Sequence, residues 1–124
     1  AHLDVTGGKV YDNIISESYN GYGGSVLIEG AEAKLIAAAT LFSGCGGAKC
    51  AYYSGAIHAQ DGSTVEVASS TFKGNKAGNR GGALSVDGKQ TFATITSSTF
   101  ESNSASFGGG IFVLDGGKLQ RLFP

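Results

Sequence analysis

The sequence has no methionine, no tryptophan, one proline (Pro124) and two cysteines (Cys45 and Cys50) in 124 residues. With no methionine to mark a translation start, Ala1 is expected to arise by processing or excision. Only 15 % of residues are charged and the net charge is −1. No basic stripe exists to track phosphates, which argues against nucleic-acid binding. The longest apolar run, Leu35 to Phe42, falls far short of the roughly 20 residues that span a bilayer. No charged-then-apolar leader is visible at the N-terminus. Disordered low-complexity chains combine glycine with proline, serine and charge. Here proline is nearly absent and hydrophobic residues make up 41 %. The chain is expected to be ordered and rich in tight turns.

Glycine is what the sequence has in excess: 21 residues, against ~7 % in an average chain. Much of it belongs to a repeat. Ser70-Thr71-Phe72-Lys73-Gly74-Asn75-Lys76-Ala77 aligns with Ser98-Thr99-Phe100-Glu101-Ser102-Asn103-Ser104-Ala105. Each segment is followed by a glycine cluster and an apolar run, Gly81-Gly82-Ala83-Leu84-Ser85-Val86-Asp87-Gly88 and Gly108-Gly109-Gly110-Ile111-Phe112-Val113-Leu114-Asp115-Gly116. Upstream the pattern is looser. Phe42-Ser43-Gly44-Cys45 precedes Ser54-Gly55-Ala56-Ile57, and Val10-Tyr11-Asp12-Asn13 precedes Gly23-Gly24-Ser25-Val26. Units start at residues 10, 42, 72 and 100, a period of 28 to 32 residues.

Helical solenoids need two amphipathic helices per unit, and glycines this frequent would cost about 1 kcal/mol each inside them. The apolar residues instead alternate, as in Leu3-Asp4-Val5, Val65-Glu66-Val67, Leu84-Ser85-Val86 and Ala93-Thr94-Ile95. Period two predicts strands. Short strands in units of this length predict the coils of a parallel β-helix. Phe42, Phe72 and Phe100 are then expected to stack inside. Asn75 and Asn103 are expected to form a ladder at a bend, begun by Asn13 and interrupted by Cys45. Glycines supply positive φ at corners. Asp61-Gly62, Asp87-Gly88 and Asp115-Gly116 are expected to be turns closing each coil.

Phe-x-x-Asn followed by Gly-Gly-Ala-Ile/Leu resembles the repeat of the chlamydial polymorphic membrane proteins. The residues that carry it are Phe72-Lys73-Gly74-Asn75 with Gly81-Gly82-Ala83-Leu84, and Phe100-Glu101-Ser102-Asn103 with Gly108-Gly109-Gly110-Ile111. Those are autotransporter-like surface proteins whose passenger region is a right-handed parallel β-helix. Similar repeats occur in secreted and organellar proteins of algae and protists. The resemblance implies adhesion and surface display rather than catalysis. The family's membrane-barrel domain has no counterpart in this sequence. The expected fold is all-β: one domain over residues 1–124, a short right-handed parallel β-helix of about four coils, with a fragment or subunit of a larger assembly as its expected setting.

Cys45 and Cys50 are expected to form a disulfide in an oxidising compartment. The alternatives are free thiols, or zinc, for which His58 is the only further ligand nearby. Asp61, Asp87 and Asp115, with Glu29, suggest an acidic column that could hold calcium. Turn chemistry accounts for the same residues. Pectate-lyase-type enzymes share the architecture. Their chemistry needs a basic residue beside a carboxylate cluster, and the two arginines, Arg80 and Arg121, do not provide one by sequence. No catalytic site, cofactor or metal is expected.

Ice binding by flat threonine arrays is the other alternative. Thr71 stacks with Thr99, but the equivalents of Thr94 are Glu66 and Ile36, and those of Thr96 are Ala68 and Ala38. The outward column Leu27, His58, Ser85 and Phe112 is apolar at both ends, which suggests a protein-docking face. His58 is expected at the surface. Leu119, Leu122, Phe123 and Pro124 follow the last Asp-Gly turn, where they would cap an open end or anchor in a partner. The function expected is a non-catalytic interaction module with protein partners. It would be either adhesin-like or a peripheral subunit of a complex, outside the cell, at its surface or in an organellar lumen.

Overall fold

The alternating segments form thirteen short strands and no helix among the residues described by the computed structural model, which are 2–6, 9–11, 26–43, 55–79 and 81–122. In chain order they are β1 (His2–Thr6), β2 (Lys9–Tyr11), β3 (Val26–Glu29), β4 (Lys34–Ala38), β5 (Leu41–Ser43), β6 (Ile57–Gln60) and β7 (Thr64–Ala68). There follow β8 (Thr71–Lys73), β9 (Leu84–Asp87), β10 (Phe92–Thr96), β11 (Thr99–Glu101), β12 (Ile111–Leu114) and β13 (Lys118–Leu122). They assemble into three parallel sheets ordered β1-β4-β7-β10-β13, β11-β8-β5-β2 and β12-β9-β6-β3. Every third strand is therefore a lateral neighbour, the signature of a solenoid. β3-β4-β5, β6-β7-β8 and β9-β10-β11 are three complete turns, with β1-β2 before them and β12-β13 after.

Strand register follows the repeat read from the sequence. Val10, Phe42, Phe72 and Phe100 pair in succession. The inward rows of the longest sheet are Leu35, Val65 and Ala93, then Ala37, Val67 and Ile95. All six are at most 2 % exposed. Ile57 and Leu84, with Ala59 and Val86, close the core from the sheet of β3, β6, β9 and β12. Each buried Leu, Ile, Val or Phe contributes about 1.5–3 kcal/mol, and alternation puts one on the inner face every second residue.

The Phe42 and Phe72 rings lie 4.6 Å apart at 6°, and Phe72 and Phe100 lie 4.6 Å apart at 2°. An isolated aromatic pair prefers an offset or tilted arrangement. Here the strand spacing of ~4.7–4.9 Å and the identical register enforce parallel stacking. Beside the stack runs the asparagine ladder. Asn75 donates from its backbone N–H (2.9 Å) and its amide (3.0 Å) to Asn103 Oδ1. The amide nitrogens also donate across coils, Asn75 to the Phe42 carbonyl (3.1 Å) and Asn103 to the Phe72 carbonyl (2.9 Å). Asn75 Oδ1 has no hydrogen-bond partner among the described residues. Asn13 and Cys45 lie outside those residues.

A second ladder has a sequence signal that the repeat alignment left without a role. Ser or Thr stands two residues before each stacked Phe. The Ser70 hydroxyl accepts from the Thr40 N–H, and the Ser98 hydroxyl from the Ser70 N–H, both at 3.1 Å. Each hydroxyl donates to the carbonyl two residues earlier, at Ala38, Ala68 and Thr96. These corners need no glycine: Ala39, Ser69 and Ser97 take φ of 50°, 50° and 51°.

Candidate functional site

The Gly-Gly pair of the repeat has two distinct jobs. Gly81 and Gly108 adopt φ of +54° and +59°, a left-handed conformation that turns the chain back over the outer face of the following strand. A Cβ on Gly81 would stand 2.4 Å from the Leu84 carbonyl oxygen and 3.2 Å from the Ser85 Cβ. One on Gly108 would stand 2.6 Å from the Ile111 oxygen and 3.0 Å from the Phe112 Cβ. Gly82 is required by its neighbour coil, since a Cβ there would be 2.1 Å from the Gly109 oxygen. The successive loops pair with each other. Phe107 N–H donates to the Asn79 oxygen, and Gly81 N–H to the Phe107 oxygen.

This fold-back decides the fate of the expected docking column. Leu27, His58, Ser85 and Phe112 do pair in succession. Leu27 is 46 % exposed, but His58 and Ser85 are fully buried, so the expectation of a surface histidine is overturned. At Ser85 the glycine loop lies across the outer face. At Phe112 it brings Phe107 to 6.5 Å between ring centroids, leaving Phe112 half-buried and Phe107 59 % exposed. Among the described residues the exposed large apolar side chains are Leu27, in the first strand of this sheet, and Phe107 and Val113 toward its other end, with Phe112 half-buried beside Phe107. Phe107 stands where the preceding unit has Arg80, outside the repeated motif, and sequence comparison of the units passes over it.

Burial of His58 is met by polar neighbours in the same sheet. Gln60 donates its amide to the Glu29 carboxylate of the adjacent strand. Its oxygen therefore faces His58 Nε2 at 3.0 Å, and His58 is the donor. Glu29, Gln60, Asp87 and Leu114 form one row. The expected acidic column is therefore not continuous. Asp61 and Asp115 fall one residue later, in turns where they take φ of 57° and 51° and the next glycines +83° and +87°. Turn geometry claims them. Glu29 and Asp87 end their strands, and Gly30 and Gly88 make the turn.

The remaining predicted residues fall as follows. Leu119 pairs with Ala93 and packs half-buried against the core. Leu122 pairs with Thr96 through its backbone. Cys45, Cys50, Arg80, Phe123 and Pro124 lie outside the described residues. On the outer face of the longest sheet, Thr94 aligns with Glu66 and Ile36, and Thr96 with Ala68 and Ala38, the broken threonine pattern expected from the sequence. Lys34 and Glu66 form an ion pair across it at 2.5 Å. A shallow groove lies between Lys76, Ala77 and Gly78 and their equivalents Ser104, Ala105 and Ser106. Lys76 is its single charged residue, and the Ser106 hydroxyl is already committed to the Gly78 oxygen at 3.0 Å.

Two segments, 69–87 and 97–114, match the family model described as the Chlamydia polymorphic membrane protein repeat. Each contains one strand of the phenylalanine stack, one asparagine of the ladder, one Gly-Gly fold-back and the strand beneath it. The chain is therefore a β-solenoid carrying this repeat. No curated protein and no solved structure matches it.

Proposed function

We propose that the chain is a non-catalytic display module, an adhesin-like stack that holds surface side chains at fixed spacing for a protein partner. The observation that carries this reading is the division of labour within the repeat. The motif residues Phe72, Asn75, Gly81, Gly82 and their equivalents are absorbed by stacking, cross-coil hydrogen bonds and close backbone approach. What differs from coil to coil is the exposed set: Leu27, Phe107, Lys73 against Glu101, and Lys76 against Ser104. A stiff scaffold with a variable exterior binds with little ordering cost. The family match supports a setting at a cell surface, because the repeat takes its name from membrane proteins of that kind. A peripheral subunit clamped onto a larger complex is the second setting.

Labelling of intact source cells with a membrane-impermeant amine reagent separates the two. Lys73, Lys76, Lys89 and Lys118 are exposed and should be modified in a surface-displayed module. A partner should then be recovered by cross-linking, and Phe107→Asp should reduce its yield. Protection of all four lysines, together with stoichiometric co-purification of other subunits, would favour the complex.

A further inference from the structure

Two of the Asp-Gly pairs, Asp61-Gly62 and Asp87-Gly88, lie in turns inside complete coils. An Asp-Gly pair is open to isoaspartate formation, because no Cβ shields the glycine nitrogen. That nitrogen attacks the aspartate Cγ, one water leaves with a carboxyl oxygen, and a succinimide ring closes. One water then opens the ring at the carbonyl next to Cα, and the main chain is left running through Cβ. Water is the only co-reactant, lost once and regained once. The attacking nitrogen must shed its proton and turn toward the carboxyl, so an N–H already donated to an acceptor is held out of the reaction. The two pairs hold that N–H in different ways. In the four-residue turns 30–33 and 88–91 the glycine directly follows the strand. Its N–H donates to backbone of the next coil, Gly30 to the Gln60 carbonyl at 3.3 Å and Gly88 to the Leu114 carbonyl at 3.0 Å. In the three-residue turn 61–63 the glycine comes one position later. The Gly62 N–H donates to a side chain instead, the Thr91 hydroxyl of the next coil, at 2.9 Å. Thr91 is fully buried, whereas Asp61 is exposed.

We propose that Asp61-Gly62 is an isoaspartate-forming site and that Thr91 keeps it closed. Thr91 acts through the Gly62 nitrogen, as a positioning residue. Asp87-Gly88 needs no such side chain, because its acceptor is backbone. The turn that Thr91 holds has no slack. Ser63 is fully buried, donates its N–H to the Gln60 carbonyl at 3.3 Å and its hydroxyl to the Ile28 carbonyl at 3.1 Å. Val65 and Val67 follow in the core rows, at 0 % and 2 % exposed. An isoaspartate inserts one extra backbone atom between Gln60 and Ser63. Either the Ser63 bonds or the register of β7 with β4 and β10 must absorb it. The modification therefore converts a surface reaction into a defect of the core.

The inference is independent of the adhesive reading, since its test needs no partner. The original chain and its Thr91→Ser, Thr91→Val and Ser98→Ala variants are incubated near neutral pH, each folded and in urea. Isoaspartate is counted by electron-transfer fragmentation of two tryptic peptides, 50–73 with Asp61 and 81–89 with Asp87. Folding of the original chain is expected to suppress the modification in both peptides. A rate at Asp61 equal to that in urea would overturn the inference. Thr91→Val keeps the shape and loses the acceptor. It is expected to raise Asp61 relative to Asp87 by about fivefold, the factor set by one hydrogen bond of ordinary net strength. Thr91→Ser keeps the hydroxyl and is expected to match the original chain. Ser98→Ala removes the hydroxyl that accepts the Ser70 N–H at 3.1 Å, loosening the stack away from this turn, and is expected to leave the ratio unchanged. An unchanged ratio in Thr91→Val, or an equal rise in Ser98→Ala, would overturn the inference, because general loosening and not Thr91 would then control the reaction. Amide hydrogen exchange of the original chain decides the matter if Thr91→Val does not fold. Gly62 is expected to be as protected as Gly88, and fast exchange at Gly62 alone would overturn the inference.

Discussion

Asn103 Oδ1 accepts two hydrogen bonds from Asn75, one from the backbone N–H at 2.9 Å and one from the side-chain amide at 3.0 Å. One residue therefore satisfies two donors of the preceding coil, where Asn75 is 1 % exposed. Asn103→Ala leaves both donors buried and removes the amide that caps the Phe72 carbonyl. An unsatisfied buried group costs about 1–3 kcal/mol. Urea denaturation should show a lowered midpoint with an unchanged slope. A loss below about 0.5 kcal/mol would mean that the ladder is not structural.

Phe72 is the central ring of the stack, covered on both faces. Phe72→Ala should cost about 3–5 kcal/mol, enough to unfold a solenoid of three complete turns. Phe100→Ala should cost less, because Phe100 is only half-buried. Circular dichroism melts of the two variants test the order, and the reverse order would contradict the stacking geometry.

The glycines divide by mechanism, which makes a three-way comparison. Gly82→Ala drives a Cβ to 2.1 Å from a backbone oxygen and 2.5 Å from a backbone nitrogen, and should abolish folding. Gly74→Ala meets open space but keeps φ +67°, and should cost about 1–2 kcal/mol. Gly110→Ala meets nothing within 4 Å and has no positive φ to strain it. It should lie within about 0.5 kcal/mol of the original chain. Soluble expression and thermal melts rank the three.

Ser97 holds φ +51° without being a glycine, and its side chain is exposed. Ser97→Gly relieves left-handed strain while loosening the unfolded chain. The net effect should be zero to about +1 kcal/mol of stability. Ser97→Val, β-branched at the same φ, should destabilise by more than about 1 kcal/mol. Equal melting temperatures for the two variants would refute the strained corner.

We propose that Cys45 and Cys50 are bonded to each other. Intact-mass measurement of native material after alkylation, with and without reduction, should show incorporation only in the reduced sample. The short loop gives a modest gain, about 2 kcal/mol, so reduction should lower the melting temperature without unfolding the chain. Two alkylated thiols in unreduced native protein would exclude the bond.

The sequence by itself determined the columns. Alternation specifies which face each residue takes, and recurrence at a near-constant interval specifies which residues stack. Phe42, Phe72, Phe100, Asn75 and Asn103 are therefore legible in the sequence. What lies over a column is not a periodic property. The burial of His58 and Ser85 was hidden because outward alternation is the same whether water or chain covers the face. At Ser85, the cover depends on the left-handed φ of Gly81 and on one loop pairing with the next coil's loop through Asn79 and Phe107. The acidic column failed for a related reason. All four strands end in the Glu29–Asp87 row, but Asp61 and Asp115 stand one residue beyond it, in turns of three residues (61–63 and 115–117) where those after Glu29 and Asp87 have four (30–33 and 88–91), and local composition does not reveal the shift. Arg121 shows the limit most clearly. Its register with Ile95 marks it as inward, yet its exposed guanidinium lies over the Phe100 ring, a placement that alternation alone does not reveal.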